Sequence, residues 1–580
     1  MKQRFLVCVF LLLLAACDTE RGKVRPEATV FTASAVLTMN SDYDIVSAVA
    51  VSGGKIIAIG NLDDIQALLP NYQVTVDRQF DGKVVMPGFV ENHLHPALAG
   101  VLLPSTFITP WDWVLPHQQV KGVQGREGYL ERLTEAVASH PREDGFFITW
   151  GYHQYFHGEV GRLDLDAISD VIPIIVWQRS FHEIIANTAA LNELGMSADD
   201  YQQHPMINFE RGHFWETGLF EIFSKLSPVV LNPERLKFGM HVGLDHARLN
   251  GVTAVADQGV PMIDLDSEMT MLESVIKDNE LPLHMFLVGN AKGMAPDGDE
   301  VAAVQAIAAL PDRNTETLTY LSRQVKLLAD GAFYSQLMQM QDGYLDGHHG
   351  EWLTPPDDLL RIARRYWLED FQIHIHVNGD EGVRVVLNMI ERLNEEHPRP
   401  NHRTVLHHFG YSAPDQIARL AKLGIWVSAN PFYLWALGDK YAEVGLGPER
   451  AHAMVRLGAL ERHNVPVSLH SDLPMAPAAP LTLASVAASR QSALGNVLMP
   501  TEKLSPIAAL RAITIDAARM IQQEDLIGSI KFHARTINGI DGDVRLTNRL
   551  YIPRNKLRGF NTFRVGPKDG DDFIGGNYTT

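Results

Sequence analysis

The sequence predicts an α/β fold: a (β/α)8 TIM-like barrel with a small β-sandwich domain and a long insertion after the first barrel strand. Three observations predict it. From residue 84 onward, eight short apolar runs alternate with helical stretches, the pattern of parallel strands joined by crossover helices. A strand-rich stretch, residues 29–60, precedes the first of them. Residues able to ligate metal stand at the ends of several runs, where barrels of this class carry their chemistry. With 580 residues and 46% apolar composition, the chain can bury one large core with attachments.

The chain begins with Lys2 and Arg4 and an apolar run from Phe5 to Ala16, too short to span a bilayer and shaped like a secretory signal. Leu14-Ala15-Ala16-Cys17 closes it and resembles the bacterial lipoprotein signal, in which the cysteine is lipidated and becomes the first residue after cleavage. An ordinary signal or an uncleaved anchor is the alternative. The chain has only Cys8 and Cys17, and Cys8 leaves with the signal (residues 1–17), so the exported chain has no internal disulfide and Cys17 is left for the lipid. The expected location is the bacterial cell envelope, lipid-anchored on the periplasmic side. Asp18 resembles an inner-membrane retention signal, a rule that varies between bacterial groups. Residues 18–28 are polar and aperiodic and read as a tether. A net charge of −19 disfavours nucleic acid or an anionic membrane surface as partner, leaving the lipid as the membrane contact and a small uncharged or cationic substrate as the better fit. Self-association is left open.

Residues 29–85 read as the N-terminal part of the small β domain, with strands over Thr29 to Met39 and Ser47 to Ile59, the second turning at Gly53-Gly54. The barrel is expected over 86–500. Its strand runs are Val84 to His95, Gly251 to Asp257, Leu281 to Gly289, Gln324 to Asp330, Phe371 to Val377, Thr404 to Phe409, Ile425 to Ala429 and Val465 to His470. Between the first two lie residues 97–250, rich in aromatics such as Trp111, Trp113, Trp150, Trp177 and Trp215. Segments this long are seldom idle, so the insertion reads as a lid or wall over the barrel mouth, although most of its aromatics taken singly suit a subdomain core. Residues 501–531 end the barrel and return to the β domain, and 532–580 form an atypical tail.

His93 and His95, two apart at the end of the first run, share one face of a strand and so can chelate a metal. With 24 histidines in the chain, chance alone could produce that pair. The later strands argue otherwise, because the fourth carries Lys326, the fifth His376, the sixth His408 and the eighth Asp472. Four imidazoles and a carboxylate suit zinc, iron or manganese with one position open for water. A lysine cannot ligate as an ammonium, but carboxylated by CO2 it becomes a carbamate able to bridge two metals.

Further motifs accompany these residues: Ala48-Val49-Ala50-Val51 with Gly54-Lys55-Ile56, Met86 to His95, Gly251-Val252-Thr253 with Asp257, Asp330-Gly331, His376-Val377-Asn378-Gly379-Asp380 and Ser471-Asp472-Leu473-Pro474. The insertion adds His182 with Asn187 and Ala190-Leu191, and Thr217-Gly218-Leu219 with Glu221. On this ordered set the sequence resembles the metal-dependent amidohydrolase superfamily, in the amidohydrolase family 3 branch that includes N-substituted formamide deformylases, over about residues 29–531. The resemblance implies a hydrolase that cleaves a non-peptide C–N bond of amide type in a small molecule, using a metal-activated water. His93 and His95 would hold one zinc and His376 and His408 another, with a CO2-derived carbamate on Lys326 as the bridge. Asp472, counted with the ligands, would accept a proton from the water and return it to the leaving nitrogen. By resemblance alone, His182 would contact the developing oxyanion or the substrate, with packing as the alternative. Glu91 and His407 depart from the family, which usually has Asp and Glu there. On a strand His407 points away from His408, which suggests a supporting role. His374 and His470, two residues before His376 and Asp472, are left outside the ligand set.

The tail departs furthest. The family continues with a Gly-Lys-x-Ala-Asp run and apolar strands; from Lys531 to Thr580 this chain has nine Lys or Arg against five Asp and a single alanine. A genuine alternative ending and a shifted reading frame both account for it, and either puts partner strands of the β layer at risk. Two rival functions remain open from the sequence. One is a mononuclear deaminase-like hydrolase that needs no bridging lysine; the other is a non-catalytic, lipid-anchored binding or regulatory protein. The ligand-type residues all being in place argues against the second.

Overall fold

The computed structural model describes residues 25–295 and 297–531, and the backbone of a strand at Asn561–Phe563. The expectations for Cys17, Asp18 and most of the tail after residue 531 lie outside the described residues.

The small β domain is one five-stranded sheet, ordered Asn561–Phe563, Gln73–Met86, Glu27–Leu37, Ile45–Ser52, Lys55–Gly60. Its hairpin turns at Gly53 and Gly54, both at positive φ (+55° and +75°), a conformation glycine adopts without a Cβ penalty. Alternation along the strands gives the sheet two apolar faces. Phe31, Val49, Val51, Ile56 and Phe80 cluster with Ile530 on one, while Val30, Ala48, Ala50 and Ala58 meet Ile65 and Leu69 on the other. The tail contributes a partner strand, since Asn561–Phe563 pairs antiparallel with Val84–Met86.

Eight parallel strands form the barrel: Phe89–Leu94, Val252–Val260, His284–Asn290, Leu318–Leu328, Gln372–Val377, Val405–His408, Trp426–Ala429 and Val467–Leu469, each paired with the next. The first and last are joined beyond their ends, where Asp472 N–H donates to His93 O (3.1 Å) and His95 N–H to Leu473 O (3.0 Å). The seam therefore runs through the residues expected to form the site. Two differences from the sequence reading go beyond a shift of up to three residues at a strand end. The run from Val84 to His95 is two strands, because Pro87-Gly88 carries the chain from the small sheet into the barrel. Gly88 passes so close to strand two that a Cβ there would lie 2.2 Å from Thr253 Oγ1. Strand four starts at Leu318 rather than Gln324, since exposed Ser322 and Arg323, the latter at φ +51°, interrupt its apolar run without ending the strand.

The stretch 97–250 holds a six-stranded sheet of its own, ordered Ile207–Asn208, His213–Trp215, Glu183–Ala186, Ile174–Gln178, Phe147–Tyr152, Thr106–Phe107. Trp113 and Trp150 are buried there, edge-to-face at 5.7 Å, so these aromatics are core. Others reach the barrel: Trp111 Nε1 donates to Ala436 O in the helix Phe432–Val444 that follows strand seven (3.3 Å). Arg179 Nη2 donates to Met475 O just beyond strand eight (3.0 Å). The insertion thus stands as a wall over the C-terminal strand ends. Among the described residues no helix is long and apolar enough to cross a membrane.

Candidate metal centre

Every residue expected to ligate metal arrives at the same end of the barrel. His93 Nε2 and His95 Nε2 lie 3.2 Å apart, and Asp472 Oδ1 is 3.4 Å from each. Asp472 Oδ2 is 3.6 Å from His408 Nδ1, and the His408 ring packs 4.4 Å from that of His376. Lys326 Nζ is buried with no hydrogen-bond partner among the described residues. Burial pushes Lys326 down to about 7, against the opposing pull of Asp472 and Asp257, and pushes Asp472 up to about 6, against His95, Lys326 and His182. Burial, reinforced by Lys326 and the neighbouring imidazoles, holds His93 and His408 well below the usual histidine range and therefore neutral.

These atoms fit a cation. The carboxylate of Asp257, 3.3 Å away, accepts the Nδ1–H of His95, which turns the Nε2 lone pair toward His93 and Asp472. An imidazole lone pair and a carboxylate oxygen facing each other at this distance repel unless something positive lies between them. His93, His95 and Asp472 make one candidate set of donor atoms; His93, His408 and His470 make an overlapping one. A buried lysine nitrogen with no partner likewise suits a site where added oxygens would give it a role.

Backbone strain gathers here. His408 and Asp472 sit at φ +74° and +59°, values non-glycine residues seldom adopt, as do Phe181 (+74°) and Glu216 (+47°) around His182. His182 Nδ1 lies 2.9 Å from Glu216 Oε2. Burial works against charge on His182, but Glu216, with Glu183 and Asp472, outweighs it and raises the group. The same carboxylates favour the protonated form of His182, which lies within electrostatic reach of Asp472.

The departures also find places. Glu91 accepts from Ser471 N–H (3.1 Å), tying strand one to the segment that carries Asp472; burial pushes it up to about 8. His407 Nδ1 lies 2.8 Å from His93 Nδ1, so it supports a donor residue rather than facing the cluster. His470, left outside the ligand set from sequence, comes within 3.3 Å of His408 Nδ1 through its Nε2 and stacks on the His93 ring at 4.5 Å. Its place in the second candidate donor set makes it a further candidate ligand, and its alternation with Asp472 was the available signal. Sequence reasoning also gave no role to Asp257, Glu216 or Tyr433, whose hydroxyl lies 3.4 Å from His408 Nδ1. Asp330 is structural: it accepts from the backbone N–H groups of Gln339, Asn378 and Gly379 (2.8–2.9 Å), bracing the turn after His376.

The chain is similar to known proteins along most of its length. The chain is 25% identical over 524 residues to an N-substituted formamide deformylase from Arthrobacter pascens, covering 86% of this chain and 90% of that protein. It is 23% identical over 462 residues to the exoenzymes regulatory protein AepA from Pectobacterium carotovorum subsp. carotovorum, covering 76% and 93% respectively. In structure it resembles an uncharacterized metal-dependent hydrolase from Pyrococcus horikoshii OT3, with a TM-score of 0.65 at 19% identity over 93% of this chain and 98% of that one, a likeness of fold. A sequence model described as "Amidohydrolase family" matches residues 80–533, from the last strand of the small sheet through the whole barrel. By that match, over a barrel whose strand ends bring a candidate His/Asp metal site together, the chain belongs to the amidohydrolase family and is a metal-dependent hydrolase.

Proposed function

We propose that this protein hydrolyses a non-peptide C–N bond of amide type in a small molecule, at a centre for two divalent cations. The observation that carries the reading is the convergence of His93 Nε2, His95 Nε2 and Asp472 Oδ1 within 3.4 Å of one another at the C-terminal end of the barrel, with His93 held well below the usual histidine range by burial. Support for the bond type comes from the resemblance to the Arthrobacter deformylase. His93 and His95 would hold one cation and His376 and His408 the other, with carboxylated Lys326 shared by both. When bound, the metal would polarise the substrate carbonyl and make the attacking water more acidic.

The chain's own residues do the rest. Asp472 takes the proton from the attacking water and delivers it to the leaving nitrogen, a role suited to a buried carboxylate that burial pushes up to about 6 against the opposing pull of His95, Lys326 and His182. His182, oriented by Glu216, offers its remaining N–H to the carbonyl oxygen as negative charge develops there. The insertion keeps bulk water from the strand ends through its contacts with the Phe432–Val444 helix and Met475. No Ser or Cys nucleophile is required.

Elemental analysis of protein purified without chelator tests the reading, on wild type and Lys326→Ala side by side. The expected result is about two divalent metals per chain, falling to one or fewer in the variant, followed by turnover on a panel of N-formyl and N-acyl amines. One metal in both proteins would point to a mononuclear centre. Absence of metal, or a loaded protein inert on that panel and on ureas and cyclic imides, would overturn the proposal.

A further inference from the structure

A line of buried hydrogen bonds runs from the candidate metal centre down the barrel interior to its opposite end. His93 Nδ1 meets His407 Nδ1 at 2.8 Å, His407 Nε2 meets His374 Nδ1 at 2.9 Å, and His374 Nε2 meets Gln324 Oε1 at 3.0 Å. Gln324 Nε2 then donates to the backbone carbonyl of Ile521 at 3.0 Å, beneath the barrel just after the helix Ile515–Met520. His93, His407, His374 and Gln324 come from strands one, six, five and four, and all are buried.

The line has one consistent direction. A backbone carbonyl only accepts, so Gln324 must present its NH2 to Ile521 and its oxygen to His374. That oxygen accepts the Nε2–H of His374, and a neutral imidazole with Nε2 protonated has its lone pair on Nδ1. His374 Nδ1 accordingly accepts from His407 Nε2–H, and His407 Nδ1 in turn accepts from His93 Nδ1–H. The last step leaves the lone pair of His93 on Nε2, the atom 3.2 Å from His95 Nε2 and 3.4 Å from Asp472.

We infer that Gln324, His374 and His407 form a one-way hydrogen-bond relay that holds His93 in its Nδ1–H tautomer, so that its Nε2 is presented as a metal donor. They are positioning residues: none faces the donor cluster, and the polarity of the relay is set by the Ile521 carbonyl at the far end of the barrel. If His407 adopted the other tautomer, its Nδ1–H would point at His93, forcing the His93 proton onto Nε2 and capping the donor atom. The inference rests on the metal-centre reading for its purpose, while the tautomer itself can be observed without metal.

The test uses full-length, chelator-stripped protein with 15N-labelled histidine. Long-range 1H–15N spectra report which nitrogen of each buried imidazole carries the proton, and the His93 signal is the one that moves on Zn2+ addition and is absent in His93→Gln. The expected result is a protonated Nδ1 and a bare Nε2 on His93; a protonated Nε2 would overturn the relay. Zn2+ affinity supplies the second measurement. His407→Leu removes the acceptor and is expected to weaken Zn2+ binding about 10–100-fold. His407→Gln, whose amide can accept from His93 and donate to His374, is expected to restore most of it. Equal affinity in wild type, His407→Leu and His407→Gln would overturn the relay even if every variant folds. A wild-type protein with the expected tautomer that binds no Zn2+ would support the relay and overturn the metal-centre reading.

Discussion

At the residue scale, the proposed chemistry turns on Asp472. It sits at φ +59° immediately past strand eight, with one carboxylate oxygen toward His93 and His95 and the other toward His408. Such a backbone costs energy, and strain held in place by surrounding structure is common where a side chain must be aimed. Asp472→Asn keeps the shape and an acceptor oxygen but cannot take up the proton. It is expected to retain metal while losing roughly 100-fold or more in kcat, measured by elemental analysis and steady-state kinetics on one preparation. Full activity in that variant would remove Asp472 from the mechanism. The Asp was legible in the sequence from its place after the eighth apolar run. Its neighbours were not, because Asp257 reaches the cluster from strand two, His470 meets His408 of strand six, and only packing sets those distances.

At the scale of elements, the turn after strand five depends on a single buried carboxylate. Asp330, two residues past the end of strand four, accepts three backbone N–H groups from Gln339, Asn378 and Gly379, and Ala329 N–H donates to His376 O alongside. Removing that acceptor leaves three buried donors unmatched, so Asp330→Ala is expected to lose about 3–5 kcal/mol in a denaturant titration. Asp330→Asn, which keeps one acceptor oxygen, should lose less, and an Ala variant as stable as wild type would refute the bracing role. Strand six shows how local rules mislead. Strict alternation put His407 and His408 on opposite faces, yet both rings lie inside the barrel, because positive φ at His408 and Phe409 ends the alternation there. His407 still emerged as a supporting residue, for the contact it makes with His93.

On the scale of the whole molecule, the barrel is one body with an aromatic wall on its C-terminal side and a small sheet beside it, and the proposed lipid at Cys17 would tether it through the polar segment that follows. Cys17→Ser is expected to abolish incorporation of labelled fatty acid into the protein, since Cys17 is the cysteine left for the lipid. Wild type that incorporates no label would refute the anchor. The sequence by itself determined the barrel and the order of its strands, and it singled out His93, His95, Lys326, His376, His408 and Asp472 as candidates, because apolar periodicity and the position of a polar residue at a strand end are local properties of the chain. Tertiary structure alone decided the break at Pro87-Gly88, the pairing of Asn561–Phe563 with Val84–Met86, the entry of His470 into the donor cluster and the line from Ile521 to His93. Each of these is a contact between residues far apart in sequence, and a hydrogen bond or donor distance of about 3 Å exists only once packing has fixed both partners.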